Sequence, residues 1–189
     1  MINKKFIQKL KKEYDDQNSE RRQIIGLANV VLHDSKRAIF SMHRGDMQKA
    51  NESLTAIEKI LANLEKKFSF ARLLDEGSYK AGVEEYVEAK MYYLIATGQK
   101  IDKISGLSIN YDSYLGGICD TTGELVRRAV NEAAKGNFAE VDKMKKIIND
   151  IMAELVEFDM TGYLRTKYDQ AKGNLRKMEQ IAYEVNLRK

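Results

Sequence analysis

Two short stretches carry most of the side chains that could do chemistry. In GVEEYVEAKMYYLIATG, Glu85 and Glu88 stand three residues apart among Val83, Tyr86, Val87, Ala89, Tyr92 and Tyr93. On a helix turning about 100° per residue, Ala81, Glu85, Glu88, Tyr92 and Ile95 fall within a wedge of about 80°. Both carboxylates therefore project together from an otherwise apolar stripe. A buried carboxylate is costly unless it is paired or bound to a cation. A divalent metal resolves that cost, and Mg²⁺ is commonly held by one or two carboxylates, water and substrate phosphate. The same spacing also describes a glutamate pair at a bundle rim, solvated or paired with Lys or Arg.

The second stretch, DTTGELVRR, sets Asp120 and Glu124 four apart, on one helical face. Gly123 between them permits close approach of a backbone or ligand. The pair lies opposite an apolar face, with Arg127 in salt-bridge reach, so a solvated face is the competing reading. Two acidic pairs on two helices can also converge into one site.

A third stretch, HDSKRAIFSMHRGD, groups His33, Lys36, Arg37 and Arg44 with Phe40 on one face, with His43 close by. Cations around an aromatic suit single-stranded nucleic acid, phosphates meeting Lys and Arg while a base stacks. A solvated basic helix face is the alternative. Neither His33 nor His43 sits in a Glu-x-x-His pattern, which argues against a ferritin-like di-iron bundle. No Ser-His-Asp set, Cys-His set or Walker-type loop is apparent. Cys119 lies on an apolar face and reads as a small buried residue.

The elements that must position these groups are helices. The chain of 189 residues has no Pro, and 32% of it is charged. Pro breaks helix interiors, so its absence fits long uninterrupted ones. Helical periodicity stops at Gly45, Gly77, Gly98, Gly106, Gly136 and Gly162, as at C-caps and turns. Asp46, Ser78 and Asn137 follow three of these as expected N-caps. The expected helices are 2–44, 46–67, 78–97, 111–135, 138–161 and 163–188, each boundary good to about 2–4 residues. A short helix is expected around Phe68 to Asp75, and Gly98 to Asn110 reads as a loop. The expected class is all-α, an antiparallel bundle of about six to seven helices in one domain spanning residues 1–189.

The apolar faces follow. Ile24, Leu27, Ala28, Val31, Leu32, Ala38, Ile39 and Met42 share one face of the first helix. Leu115, Ile118, Cys119, Leu125, Val126, Ala129, Val130 and Ala133 share another. Leu164, Tyr168, Ala171, Leu175, Met178, Ala182 and Val185 form a seam of alternating four and three, used either inside the bundle or against another subunit. The net charge of +4 permits a polyanionic partner without requiring one. A single cysteine excludes an internal disulfide and a Cys-based zinc site. The charged start MINKKFIQKLKKEYDD does not read as a signal peptide, and no apolar run reaches membrane-spanning length. A cytoplasmic chain with no membrane partner is the expectation.

Four segments, in order, resemble the translin family, and within it the subunits related to translin-associated factor X (TRAX). They are SKRAIFSMHR, EEYVEA (Glu84 standing where TRAX has Gln), YLGGICDTTGELVRRAVN and LRTKYDQAKGNLRKMEQIAYEVNLR. The resemblance implies a seven-helix bundle that assembles into a closed, roughly octameric shell binding single-stranded RNA and DNA. TRAX-like subunits supply a Mg²⁺-dependent endoribonuclease site, with Mn²⁺ as the alternative ion. Its carboxylates fall here on Glu85, Glu88 and Asp120, with Glu124 as a further contributor. His33, Lys36, Arg37, Phe40, His43 and Arg44 form the corresponding candidate RNA-binding set. Translin-like subunits lack the second acidic pair and only bind, so its presence favours the catalytic reading. A non-catalytic shell binding single-stranded RNA or DNA is the alternative. The assembly is expected to be a homo-oligomer, or a hetero-oligomer with another chain of the family. The first residues, MINKKFIQKL, have no counterpart in the resemblance.

Overall fold

The computed structural model describes residues 2–187. Seven helices, and no strand, are found among the described residues: α1 (Lys4–His43), α2 (Met47–Lys67), α3 (Phe70–Leu74), α4 (Gly77–Ala96), α5 (Tyr111–Ala134), α6 (Phe138–Leu155) and α7 (Gly162–Asn186). Residue 188, the expected end of the last helix, lies outside the described residues. Of the six glycines expected to stop helices, Gly45, Gly98, Gly106, Gly136 and Gly162 adopt positive φ; Gly77 and Gly162 are the first residues of α4 and α7.

The caps follow the expectation only in part. Asn3 accepts from the Lys5 and Phe6 amides, Asp46 from Lys49 and Ser69 from Arg72. Ser78 lies inside α4, whose N-cap is Glu76, and the buried Ser78 hydroxyl has no hydrogen-bond partner among the described residues. Asn137 does precede α6, but its side chain donates to Glu132 instead of capping. α6 also ends at Leu155, six residues before the expected 161. Leu155 and Met160 are both buried, yet a turn joins them, leaving Val156 and Phe158 exposed. Apolar spacing ran on past the end of the helix that produced it. The expected loop at 98–110 is tied down by the Ile104 amide donating to Tyr114 at 2.8 Å and the Ser108 amide to Glu65 at 2.8 Å.

α4 is central. It packs against α1 on one side and α5 on the other; α2 completes the first side, and α6 with α7 the second. Tyr86, Val87, Ala89, Met91 and Tyr92 are fully buried along it. Glycines let these helices approach to backbone contact. A Cβ on Gly82 would stand 2.8 Å from the Ala28 carbonyl oxygen, and one on Gly117 would stand 2.7 Å from Val87 Cβ. The seam of α7 is used inside the bundle, against α5 and α6: Ala171, Met178, Ala182 and Val185 are buried, with Leu164, Tyr168 and Leu175 against the same core. On α5, Val130 departs from its expected face and is exposed.

Gly26 is the opposite case. It lies mid-helix in α1, exposed, with nothing within 4 Å of an added Cβ. Gly26→Ala is expected to stabilise the protein by about 0.8 kcal/mol through helix propensity. For a chain of this size that is a rise of about 2–3 °C in thermal melting. A lower melting temperature would refute the assignment of Gly26 to an open helix face.

Candidate active site

The four predicted carboxylates come together where α4 meets α5. Glu85 and Glu88 project from α4 toward Asp120 and Glu124 of α5, close enough for each to feel the others' charge. The close approach at Gly116 and Gly117 sets this geometry. The Glu84 carboxylate lies against Gly116, where a Cβ would collide with it. The Thr121 hydroxyl reaches back toward the Glu88 carbonyl at 3.4 Å. The expectation that the α5 pair might face solvent is not met, because Asp120 and Glu124 are largely buried, with side chains 26% and 20% exposed.

Each carboxylate but one has a cationic or imidazole partner. Lys36 of α1 stands 3.9 Å from Glu85. Lys167 of α7 lies 2.5 Å from Asp120 and 2.8 Å from Glu84, whose Oε1 also accepts from the Tyr163 hydroxyl at 2.5 Å. His43 donates from Nε2 to Glu124 at 2.5 Å; this leaves Nδ1 to accept the Tyr92 hydroxyl at 3.3 Å. Glu88 is the exception. It is 9% exposed, and among the described residues no side chain hydrogen-bonds or ion-pairs with its carboxylate.

The electrostatics follow from that arrangement. Burial, then the charges of Glu85, Asp120 and Glu124, push the Glu88 carboxyl up to about 9. Burial also raises Glu85, against the pull of Lys36, and raises Asp120, against the hydrogen bond from Lys167. For Lys167, burial works against the charge, but the hydrogen bonds to Asp120 and Glu84 outweigh it and hold the ammonium well above its ordinary value. The site is thus a pocket of crowded carboxyl groups in which burial and like charge disfavour ionisation of Glu88, offset only in part by Lys167.

No three His, Cys, Asp or Glu side chains among the described residues close a metal cage by themselves. Glu124 is turned to His43, Asp120 to Lys167 and Glu85 toward Lys36. The donor set still fits a hard divalent ion. All four candidates offer oxygen, Mg²⁺ needs only one or two protein carboxylates beside its waters, and the buried Glu88 carboxyl has no hydrogen-bond or ion-pair partner among the described residues, Lys167 acting on it only at a distance.

The basic face of α1 adjoins this pocket. His33, Lys36, Arg37, Phe40 and Arg44 are exposed along it, and the Arg44 guanidinium lies 5.7 Å from the Phe40 ring centre. Arg37 also pairs with Asp34 at 3.0 Å. His43 does not share that face: its side chain is 5% exposed and belongs to the acidic pocket, since it follows core residue Ile39 by four. Beside it opens a cleft of about 260 Å³ lined in part by Arg44, Arg128, Asn131 and Lys135. Sequence reasoning missed Lys167, Tyr163 and the role of Glu84. Lys167 and Asn174 flank buried Ala171 at four and three residues, and polar residues at those offsets were the available signal. Asn174 donates to the Thr122 hydroxyl at 2.9 Å and lies 3.4 Å from where a Gly123 Cβ would be.

The profile of the Translin family matches residues 7–189. This chain belongs to the translin family. It is 30% identical to an uncharacterised protein of Methanocaldococcus jannaschii over 86% of this chain and 74% of that one. It is 26% identical to the translin-associated protein X homologue of Schizosaccharomyces pombe, over 92% and 84% of the two chains. Among solved structures, the chain superimposes on apo-NeC3PO with a TM-score of 0.86, at 23% identity and 98% coverage of both chains. It superimposes equally, at 0.86, on AfC3PO in its complex with duplex RNA, at 19% identity and 97% coverage of both chains. These likenesses establish the translin-family bundle as the fold of this chain. No helix among the described residues is long and apolar enough to cross a membrane.

Proposed function

We propose that this translin-family chain is a Mg²⁺-dependent endoribonuclease that binds single-stranded RNA, and single-stranded DNA as a second ligand, within a homo-oligomeric shell. The observation that carries the reading is Glu88, a buried carboxyl amid three others with no hydrogen-bond or ion-pair partner among the described residues. Family membership and the TRAX-type relative support it, as does the likeness in fold to a protein seen bound to RNA.

Glu88, Glu85 and Asp120 would hold the ion, with Glu124 beside them. Bound there, Mg²⁺ would polarise the scissile phosphate and lower the pKa of a water ligand. The chain's own residues do the rest. His43, itself held by Tyr92, fixes the Glu124 carboxylate in one orientation, suiting it to orient the attacking water or accept its proton. Lys36 bridges the basic face and the acidic pocket, so a strand lying along α1 is led to the carboxylates. Arg37 and Arg44 meet the backbone by charge, and Phe40 offers a stacking surface. The first turns of α1 leave Phe6, Leu10 and Tyr14 exposed on one stripe, a surface that further copies of the chain would cover in the shell.

The test is cleavage of end-labelled single-stranded RNA with Mg²⁺ or EDTA by the parent and the Glu88→Ala and Asp120→Ala variants. Cleavage should require Mg²⁺ and fall at least about 100-fold in either variant. Arg44→Ala should instead weaken RNA binding and reduce the dependence of log affinity on log salt by about 0.7. RNA that stays intact in every lane, yet is bound tightly with or without Mg²⁺, would sink the catalytic reading and leave a binding shell.

A further inference from the structure

The metal reading does not account for Lys167. This lysine comes from α7, is largely buried, and points its ammonium between two carboxylates. It spans Asp120 on α5 and Glu84 on α4. The arrangement around it is built. Gly116 leaves the space that the Glu84 carboxylate fills. The Tyr163 hydroxyl donates to the same Glu84 oxygen that Lys167 approaches, and the ammonium also lies 5.4 Å from the Tyr163 ring centre. Lys167 is thereby held between two carboxylates and an aromatic ring.

Two-ion phosphodiester sites set their cations about 3.5–4 Å apart, clamping the attacking and leaving oxygens. A carboxylate that served two ions here would have to be Asp120, which faces the α4 glutamates on one side and Lys167 on the other. Its second side is already taken. We propose that Lys167 is the built-in second cation of the site: its ammonium holds the place beside Asp120 and Glu84 that a second divalent ion would need, so each chain takes a single ion. Lys167 is then a positioning residue. It neutralises Asp120 on one side and aims the carboxylate's other oxygen toward Glu88. This inference rests on the metal reading above.

Direct Mn²⁺ titration, with free ion read by electron paramagnetic resonance, tests it without recourse to activity. The parent should bind a single Mn²⁺ per chain. Lys167→Met strips Asp120 and Glu84 of their shared counter-charge and should gain a second Mn²⁺ per chain. Lys167→Gln, which keeps hydrogen-bonding capacity if the apolar variant folds poorly, should do the same. Lys167→Arg keeps the charge and should retain the single ion. Two ions on the parent, or neutral variants that keep a single ion at the parent's affinity, would overturn the inference while leaving the metal site standing. A flat titration of the parent would overturn the metal reading and this inference with it.

Discussion

Glu88→Gln is expected to raise the melting temperature of the metal-free protein at pH 8 while removing Mg²⁺-dependent RNA cleavage. The sign follows from proton binding. The Glu88 carboxyl sits at about 9 in the folded chain, raised from 4.5 by burial and by its three acidic neighbours. Between those values the folded state holds a proton that the unfolded state has lost. Stability therefore falls as pH rises from about 4.5 to about 9, and it is unaffected by Glu88 below that window. Glutamine is isosteric and needs no proton. At pH 8 most of that window has been crossed, so the gain should be several kcal/mol, read as a clear rise in melting temperature. Near pH 4 the two melting curves should converge. Added Mg²⁺ should reverse the order, because an ion that binds only the folded parent stabilises it by mass action. A parent that outlasts the variant at pH 8 without metal would show that the Lys167 charge already holds Glu88 ionised. The stability lost at this position is what a site built for a cation is expected to give up.

The route from sequence to this site was partly legible, and its gaps have physical causes. Both acidic pairs could be found because residues three and four apart share a helical face whatever the tertiary structure. Their meeting could not, since periodicity fixes a residue's direction about its own helix and says nothing of which helix lies opposite. Here that is decided by Gly116 and Gly117, which bring α5 onto α4 at the turn that carries Glu84 and Glu88. Residue type groups His43 with the basic surface, although its spacing from Ile39 places it at the edge of the core. Lys167 lies one residue from Tyr168 of the apolar seam, and nothing in that spacing singles it out. Only the packing of α7 against α5 shows that its ammonium reaches Asp120. The helices themselves were nearly all legible, because positive-φ glycines punctuate them, and α6 was overrun where Met160 kept apolar spacing across a turn.

That dependence on close approach gives the second large effect: Gly117→Ala should both destabilise the protein and disable the site. The added Cβ would stand 2.7 Å from Val87 Cβ and 2.9 Å from the Glu84 carbonyl oxygen, distances real Cβ atoms do not adopt. A flexible side chain could swing aside, but these neighbours are the β-branched root of a buried valine and the main chain of α4. The helices must separate by several tenths of an ångström or tilt, and either change reaches the fully buried Val87 and Tyr86. Overpacking of this kind costs about 1–3 kcal/mol, enough to exceed the small gain in helix propensity from replacing glycine. Gly26→Ala makes the same chemical change where there is room, so the pair should shift melting in opposite directions. The functional loss should exceed the loss of stability. Moving α4 from α5 shifts Glu88 relative to Asp120, and a misplacement of about 1 Å can cost on the order of 100-fold in rate. Assayed well below its melting temperature, the Gly117→Ala protein should therefore remain folded and bind RNA through α1 yet cleave it poorly. Full cleavage with lowered stability would mean that the carboxylates tolerate the displacement, and that the glycine serves packing alone.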